Sequence, residues 1–253
     1  MFDTDRVEKA LNDEGRRKGI DKNEIDRAVH SAMHIVKQCG EFSQNRKMAT
    51  RIGSALMDGC KSVVVPVCVN YRNLENCGGA TTLFLERHIS FLESINACSF
   101  ALAPTFLVPR HEATSDILNR WYRISEDSLT KVFQEIYTTA RTLSEERGWN
   151  VFSMDTLIPD IVEREQEAYV ALSSDTSVER QINAHMLRRR ALYPERMQVE
   201  EMRSLTVRTA AQYIAFGNFA AKNNLLICNH TTTSIQWYTQ TGAAVLHNPI
   251  SLG

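Results

Sequence analysis

The chain has 253 residues, of which 43% are hydrophobic and 23% are charged, so it is long enough to bury the core of one large domain spanning residues 1–253. A formal net charge of −1 excludes a surface built wholly for nucleic acid, although a local basic patch can still bind it. The sequence has no membrane-spanning run, no targeting segment and no CxxC pair among its six cysteines, which indicates a cytoplasmic protein without a membrane partner, a disulfide framework or a zinc knuckle.

The first 45 residues are predicted to form a helical extension of an α/β core. Asp21, with Glu24 three residues later, has the pattern of a helix N-cap, and apolar residues recur at helical spacing from there to Cys39. Residues 46–58 predict a second helix, which we expect to pack on the first strand.

A short apolar run, KSVVVPVCVN at residues 61–70, predicts the central strand. Such a run with a polar exit is typical of a strand buried on both faces of a parallel sheet. Ligands collect beyond the carboxyl ends of these strands, so we expect Cys68, Asn70 and Tyr71 to belong to the functional site. Two interpretations of Cys68 stay open at this point, a nucleophile or the small buried side chain that free cysteine commonly is.

Gly78 and Gly79 end the following loop and lead into a strongly helical segment. Glycine permits close approach of the backbone to a ligand, and a helix N-terminus capped by Thr81 or Thr82 presents N–H groups to an anion. The pattern predicts a site for a phosphate or a carboxylate. A plain helix cap explains it equally well.

The next apolar run, CSFALAPTFLVP, predicts a neighbouring strand, and Arg110, His111 and Glu112 come directly after it. A strand, a helix and a strand form a right-handed unit, which places both strand exits at the same edge of the sheet. We therefore expect His111 and Glu112 to lie near Cys68. An exposed ion pair in a loop is the alternative for these two residues.

A capped helix at Ser125–Arg147 precedes a third predicted strand, WNVFSMDTL, with Asp155 at its exit. Residues 160–193 return to helix and form a helical insertion. The insertion carries a basic patch, formed by Arg188, Arg189 and Arg190. Three consecutive residues of a helix spread over about 200°, so these arginines cannot all face one flat surface. The patch either binds phosphates or is a solvated face with ion pairs.

The C-terminal part predicts a helix at Glu200–Lys222, which carries Tyr213, and then a strand, LLIC. Hydroxyl and amide side chains follow the strand, with His230 among them, and such a run often lines a polar pocket. A second short strand is predicted around IQWY, which includes Tyr238, and a tail follows it.

The order of these elements and a set of residues at the strand exits and late in the chain resemble one known family. The residues that carry the resemblance are Pro66, Val67, Cys68, Asn70, Tyr71, Tyr213 and Tyr238. The family is that of the tRNA-dependent cyclodipeptide synthases, whose Rossmann-like domain is akin to the catalytic domain of class I aminoacyl-tRNA synthetases. The resemblance implies an α/β fold with a parallel sheet flanked by helices.

The resemblance also implies an activity. The family takes aminoacyl groups from two charged tRNAs, places the first on a serine at the exit of the first strand, and joins the two into a cyclic dipeptide without ATP or a metal. Here Cys68 replaces that serine, and Gly217 replaces a glutamate that binds the amine, so Glu112 or Asp155 is expected to supply the carboxylate.

Three groups of residues are therefore expected in the site. The catalytic residues are Cys68, Tyr213, Tyr238 and Glu112. The residues expected to bind substrate are Asn70, Tyr71, Gly78, Gly79, His111, Asp155 and His230. The residues expected to contact tRNA phosphates are Arg188, Arg189 and Arg190, and no metal or other cofactor is expected.

Two other functions remain open from the sequence. An isocyanide synthase acting on an amino acid also has a Rossmann-like core followed by helices, but its lysine-rich substrate motif is not visible here. A non-catalytic α/β module that binds an anionic small molecule or a protein partner is the third interpretation.

Overall fold

A computed structural model describes most of the chain. The described ranges are 3–67, 77–96, 102–109, 119, 124–192 and 198–249, without the side chains of 77–80, 189–192 and 232.

Within these ranges, five strands form one parallel sheet in the order β3-β2-β1-β4-β5. The strands are β1 Ser62–Pro66, β2 Ala103–Val108, β3 Asn150–Ser153, β4 Leu226–Asn229 and β5 Ala244–His247. Helices flank the sheet, so the predicted α/β, Rossmann-like class is confirmed.

The helices were largely anticipated from periodicity and caps. Their bounds are α1 Thr4–Arg17, α2 Lys22–Gln38, α3 Arg46–Met57, α4 Cys77–Asn96, α5 Glu126–Glu145, α6 Met154–Leu157, α7 Ile161–Ser174, α8 Glu179–Leu192, α9 Val199–Lys222 and α10 Thr232–Gln240, with a 3₁₀ turn at Thr176–Val178. The predicted cap at Asp21 accepts a hydrogen bond from the N–H of Asn23 at 2.8 Å, and Ser125 accepts one from Ser128 at 3.3 Å. None of the helices in the described ranges is long and apolar enough to cross a membrane.

β1 is the centre of the sheet. Val63, Val64 and Val65 are at most 2% exposed, and the strand is hydrogen-bonded to β2 on one side and to β4 on the other. β-Branched side chains suit a strand that is buried on both faces, as the sequence predicted.

Helices cover both faces of the sheet. The chain winds from β1 through β2 to β3 in one direction and from β4 to β5 in the other. Crossovers between parallel strands are right-handed as a rule, and this rule places α4 and α10 on opposite faces. The packing agrees, since α4 contacts α5 and α2, whereas α10 contacts α9.

The N-terminal helices belong to the main hydrophobic core. Val7 and Leu11 of α1 are fully buried in it. The side chain of Leu11 lies directly against the Cα of Gly53 in α3, where a Cβ has no room. At the surface, Lys18 follows the end of α1, and its Nζ forms an ion pair with Asp58 Oδ1 at 2.7 Å.

The helical insertion forms a second hydrophobic cluster. The buried members of this cluster are Ala168, Leu172, Ile182, Val207, Ala210, Ala211 and Trp237. Trp237 belongs to α10, so the crossover helix of the sheet is also part of the core of the insertion.

Three predicted elements were wrong in detail. The residues around IQWY lie in α10 rather than in a strand, because Ile235 and Tyr238 are buried in the main core while Trp237 is buried in the second cluster, so both sides of a helix are apolar. The predicted tail contains β5. α4 begins at Cys77, so Gly78 and Gly79 lie in its first turn and Thr81 is not its cap.

We expect Leu11→Ala to lower the free energy of unfolding by about 2–5 kcal/mol, because it leaves a cavity in the main core. Leu187, on α8, is 64% exposed and supplies a matched control whose replacement by Ala should change stability by no more than about 0.5 kcal/mol. Urea denaturation measures both. If Leu11→Ala and Leu187→Ala had equally small effects on the free energy of unfolding, α1 would not contribute to the cooperative core.

Candidate functional site

The order of the strands reverses between β1 and β4, and the exits of these two strands meet at the carboxyl edge of the sheet. In open α/β sheets this position is where ligands bind. The β1 ladder continues through Val67, whose N–H donates to Leu107 O at 2.9 Å and which precedes Cys68 in the sequence. On the β4 side, Asn229 Oδ1 accepts the N–H of Thr231 at 2.8 Å, which fixes the turn into α10.

A cluster of three histidines, His88, His230 and His247, lies beside the exits of β4 and β5. His88, on α4, is 1% exposed, and its ring centroid lies 5.5 Å from that of His230. Phe84 packs on both rings, with centroid distances of 4.2 Å to His88 and 5.2 Å to His230. The sequence predicted only His230 as a site residue.

The hydrogen bonds of His88 define its tautomer. Its Nδ1 lies 3.0 Å from the carbonyl oxygen of Phe84, which only accepts, so Nδ1 carries the proton and Nε2 has a free lone pair. Nε2 is on the side of the ring that faces away from the α4 backbone. It is buried and has no hydrogen-bond partner among the described residues.

Burial keeps this cluster uncharged near neutral pH. Desolvation lowers the pKa of His88 to about 4, and the bond to the Phe84 backbone opposes this shift. The pKa of His230 is lowered to about 4 by burial and then by repulsion from His88 and His247. Burial also lowers the pKa of His247, against a hydrogen bond with the His230 backbone. The cluster is therefore polar but neutral.

His247 is fixed by the segment between α2 and α3. Its N–H donates to Ser43 Oγ at 2.6 Å, and Gly40 N–H donates to its carbonyl at 2.9 Å. A Cβ on Gly40 would lie 2.5 Å from His247 Nδ1, so only glycine allows the ring to take this position. The sequence did not predict His247 as a site residue, because the residues of β5 were predicted to form a tail rather than a strand.

Tyr213 and Tyr238 are brought together on the opposite face of the sheet from His88. Their rings meet edge to face at 5.4 Å, and Phe216 packs on Tyr238 at 5.8 Å. Tyr213 is half-buried between the two hydrophobic clusters, and Tyr238 is 1% exposed. A Cβ at Gly217 would lie 2.7 Å from Thr241 Oγ1, so the glutamate that the resemblance expects there has no room.

Asp155 lies in a separate open groove at the exits of β2 and β3. The groove has a volume of about 400 Å³ and is lined by Val108, Pro109, Thr130, Phe133, Gln134, Tyr137, Thr138, Ser153 and Asp155. Three strand intervals, about 14 Å, separate β3 from β4. The structure therefore does not bring Asp155 together with His230.

The basic patch lies beside the start of α10. Arg188 is exposed, and its Nη1 donates to Thr233 Oγ1 at 2.6 Å. Arg189 and Arg190 follow on α8, and their side chains are outside the described set. Since α10 starts directly after β4, Arg188 flanks the carboxyl edge on the face opposite α4.

The remaining predicted residues divide into two groups. Gly78 and Gly79 contribute the first-turn N–H groups of α4, which have no partner within the helix. Five predicted residues lie outside the described ranges, namely Cys68, Asn70, Tyr71, His111 and Glu112.

Buried cysteines elsewhere are poor nucleophiles. Burial raises the pKa of Cys39 to about 12 and also raises those of Cys60 and Cys228, so their thiols stay protonated. In the part of the chain that the structure describes, no group of three or more histidine, cysteine or acidic side chains is arranged to hold a metal ion.

The fold and the strand exits define a doubly wound, Rossmann-like α/β protein. Comparison with protein-family models, curated proteins and solved structures finds no match.

The buried state of His88 predicts a pH dependence of stability. Its pKa is about 4 in the folded chain against an ordinary value of 6.5, so the unfolded chain binds the proton more readily. The neutral ring therefore contributes to the free energy of unfolding above pH 6.5, and this contribution is lost as the pH falls toward 4. When the pH is lowered from about 7.5 to about 5, the free energy of unfolding should fall in both proteins. The fall should be about 2 kcal/mol smaller in His88→Gln than in the wild type.

Urea denaturation at the two pH values measures this difference. His30→Gln is the control, because His30 is an exposed histidine of α2. An unchanged pH dependence in His88→Gln would contradict the burial of a neutral ring.

Proposed function

We propose that this protein is an aminoacyltransferase that takes aminoacyl groups from charged tRNA and forms a cyclic dipeptide or a related amide through an acyl-enzyme at Cys68. The observation that supports it most is the reversal of strand order between β1 and β4, with the predicted nucleophile next in sequence after the last residue of the β1 ladder. The sequence resemblance supplies the reaction class.

The first step is transfer of the aminoacyl group to sulfur. The Cys68 thiol loses its proton and the thiolate attacks the ester carbonyl, so that a C–S bond forms and the C–O bond breaks. The leaving ribose oxygen of the tRNA takes up that proton as its hydroxyl. The oxyanion that forms needs backbone N–H donors, and we assign this role to the first turn of α4 at Gly78 and Gly79.

The other predicted residues bind and position the substrate. In this proposal Tyr213, Tyr238 and Glu112 bind the amine or transfer its proton. Asp155 belongs to the groove between β2 and β3, which is large enough for an amino-acid side chain. Arg188, on the exposed face of α8, contacts tRNA phosphates together with its two neighbours.

Replacing Cys68 by Ala should abolish covalent labelling by radiolabelled aminoacyl-tRNA. Cys60→Ala is the matched control and should retain labelling, because Cys60 is a buried thiol with a raised pKa. Mass spectrometry of the culture medium then identifies the product. A wild-type protein that never becomes labelled would contradict the acyl-enzyme, and product formation from free amino acid without tRNA would favour an isocyanide synthase.

Binding of tRNA should weaken with salt, and Arg188→Gln should reduce the slope of log affinity against log salt by about one unit, because one phosphate contact is lost. Arg141→Gln, on the exposed face of α5, should leave the slope unchanged. Filter binding at several salt concentrations gives both slopes. Binding that does not depend on salt would instead indicate a non-catalytic binding module.

A further inference from the structure

The groove that contains Asp155 lies between the first half of α5 and the exits of β2 and β3, and its volume is about 400 Å³. The residues that α5 contributes to its lining are Thr130, Phe133, Gln134, Tyr137 and Thr138. Residues at this spacing share one face of a helix. One side of the groove is therefore a single helix face, which holds its side chains in fixed relative positions.

The strand ends supply the other side of the groove. Val108 of β2 and Ser153 of β3 are partners at the last position of the register between these strands, and both line the groove. The groove thus lies at the carboxyl edge of the sheet, beyond which the ligands of open α/β proteins bind. A cavity of about 300–1,000 Å³ with mostly apolar walls is typical of a small-molecule site. Location and size both favour a ligand here.

We propose that this groove binds a small molecule in which a short carbon chain joins an aromatic ring to a primary ammonium group. The inference goes beyond the proposed function, because it concerns binding alone and needs no acyl-enzyme. The lining residues lie in the described ranges of the chain.

The apolar surface of the groove fits the aromatic ring of such a ligand. Val108 and Phe133 are 4% and 6% exposed, so they form a buried apolar base, and Pro109 follows Val108 in the lining. Tyr137 lies one helical turn after Phe133 on the same face of α5, and it is 39% exposed. A ligand ring that packs in the groove removes this exposed aromatic surface from water, which is favourable.

The charge of the lining fits the ammonium group. Among the described residues that line the groove, Asp155 is the one with a formal charge, and it is exposed. An ammonium group is attracted to this carboxylate and to the face of the Tyr137 ring, and the amide oxygen of Gln134 can accept a hydrogen bond from it. A ligand carboxylate is repelled by Asp155. The groove should therefore prefer an amine to an amino acid, which carries both groups.

Equilibrium dialysis with radiolabelled 2-phenylethylamine, and competition by related compounds, measures this preference. We expect 2-phenylethanol, which lacks the charge, and L-phenylalanine, which adds a carboxylate, to bind at least about threefold more weakly. Asp155→Asn keeps the size of the side chain and should weaken the binding of 2-phenylethylamine by at least about threefold, while that of 2-phenylethanol stays within about twofold.

Glu135→Gln is the matched control for the charge, because Glu135 is an exposed carboxylate of α5 that does not line the groove. It should bind all three compounds as the wild type does. The aromatic contact has its own pair of variants. Tyr137→Ala should weaken the binding of 2-phenylethylamine by about fivefold, whereas Tyr137→Phe keeps the ring and should stay within about twofold of the wild type.

Three outcomes overturn the inference. Equal affinity of the wild type for 2-phenylethylamine and 2-phenylethanol rejects the ammonium class, and an affinity that neither Asp155→Asn nor Tyr137→Ala changes places the ligand outside the groove. A wild type that does not bind 2-phenylethylamine saturably rejects the site. If Tyr137→Ala melts at a lower temperature than the wild type, Asp155→Asn and Glu135→Gln decide, since both replace exposed side chains. None of these outcomes alters the labelling of Cys68, so the binding site and the transferase are rejected separately.

Discussion

The hydrogen bonding of β1 on both sides is the constraint on which the rest of the structure depends. A strand that is paired with β2 and with β4 has no free edge, and its valines are buried on both faces, so helices must cover both. Helices come to cover both faces because the chain adds β2 and β3 on one side of β1 and β4 and β5 on the other. The exits of β1 and β4 therefore come to lie side by side with helices diverging from them, and a crevice at this position follows from the topology alone.

The histidine cluster determines the charge on the β4 side of this crevice. Grouping the buried imidazole of His88 with the half-buried rings of His230 and His247 disfavours a charge on them, and this cost falls on the protonated forms rather than on the fold at neutral pH. The cluster is thus a set of hydrogen-bonding groups that stay neutral where an exposed histidine titrates. Among the side chains that the structure describes, Arg188 places a positive charge beside this edge, on the other face of the sheet.

Much of the fold was predictable because its signals are local. Apolar runs identified β1 to β4, and polar caps identified the starts of α2 and α5. α10 was not predictable in this way, since Trp237 and Tyr238 are adjacent residues buried in different clusters, and the run reads as a strand without knowledge of the second cluster. His88 was missed for a similar reason. Its significance depends on the ring of His230, which is distant in sequence, and on which nitrogen the Phe84 carbonyl occupies.

The two faces of the sheet limit how the site residues act together. His88 projects from α4 on one face, and Tyr213 of α9 and Tyr238 of α10 pack together on the other, so the sheet separates the two groups. Tyr238 is enclosed by Phe216 and Tyr213, so the half-buried Tyr213 is the more accessible of the two phenols. Gly217 reinforces this arrangement, because Thr241 fills the space where a side chain would extend from α9. The face of α4 thus carries the buried imidazole and the face of α9 carries the phenol groups, with the switch from β1 to β4 between them.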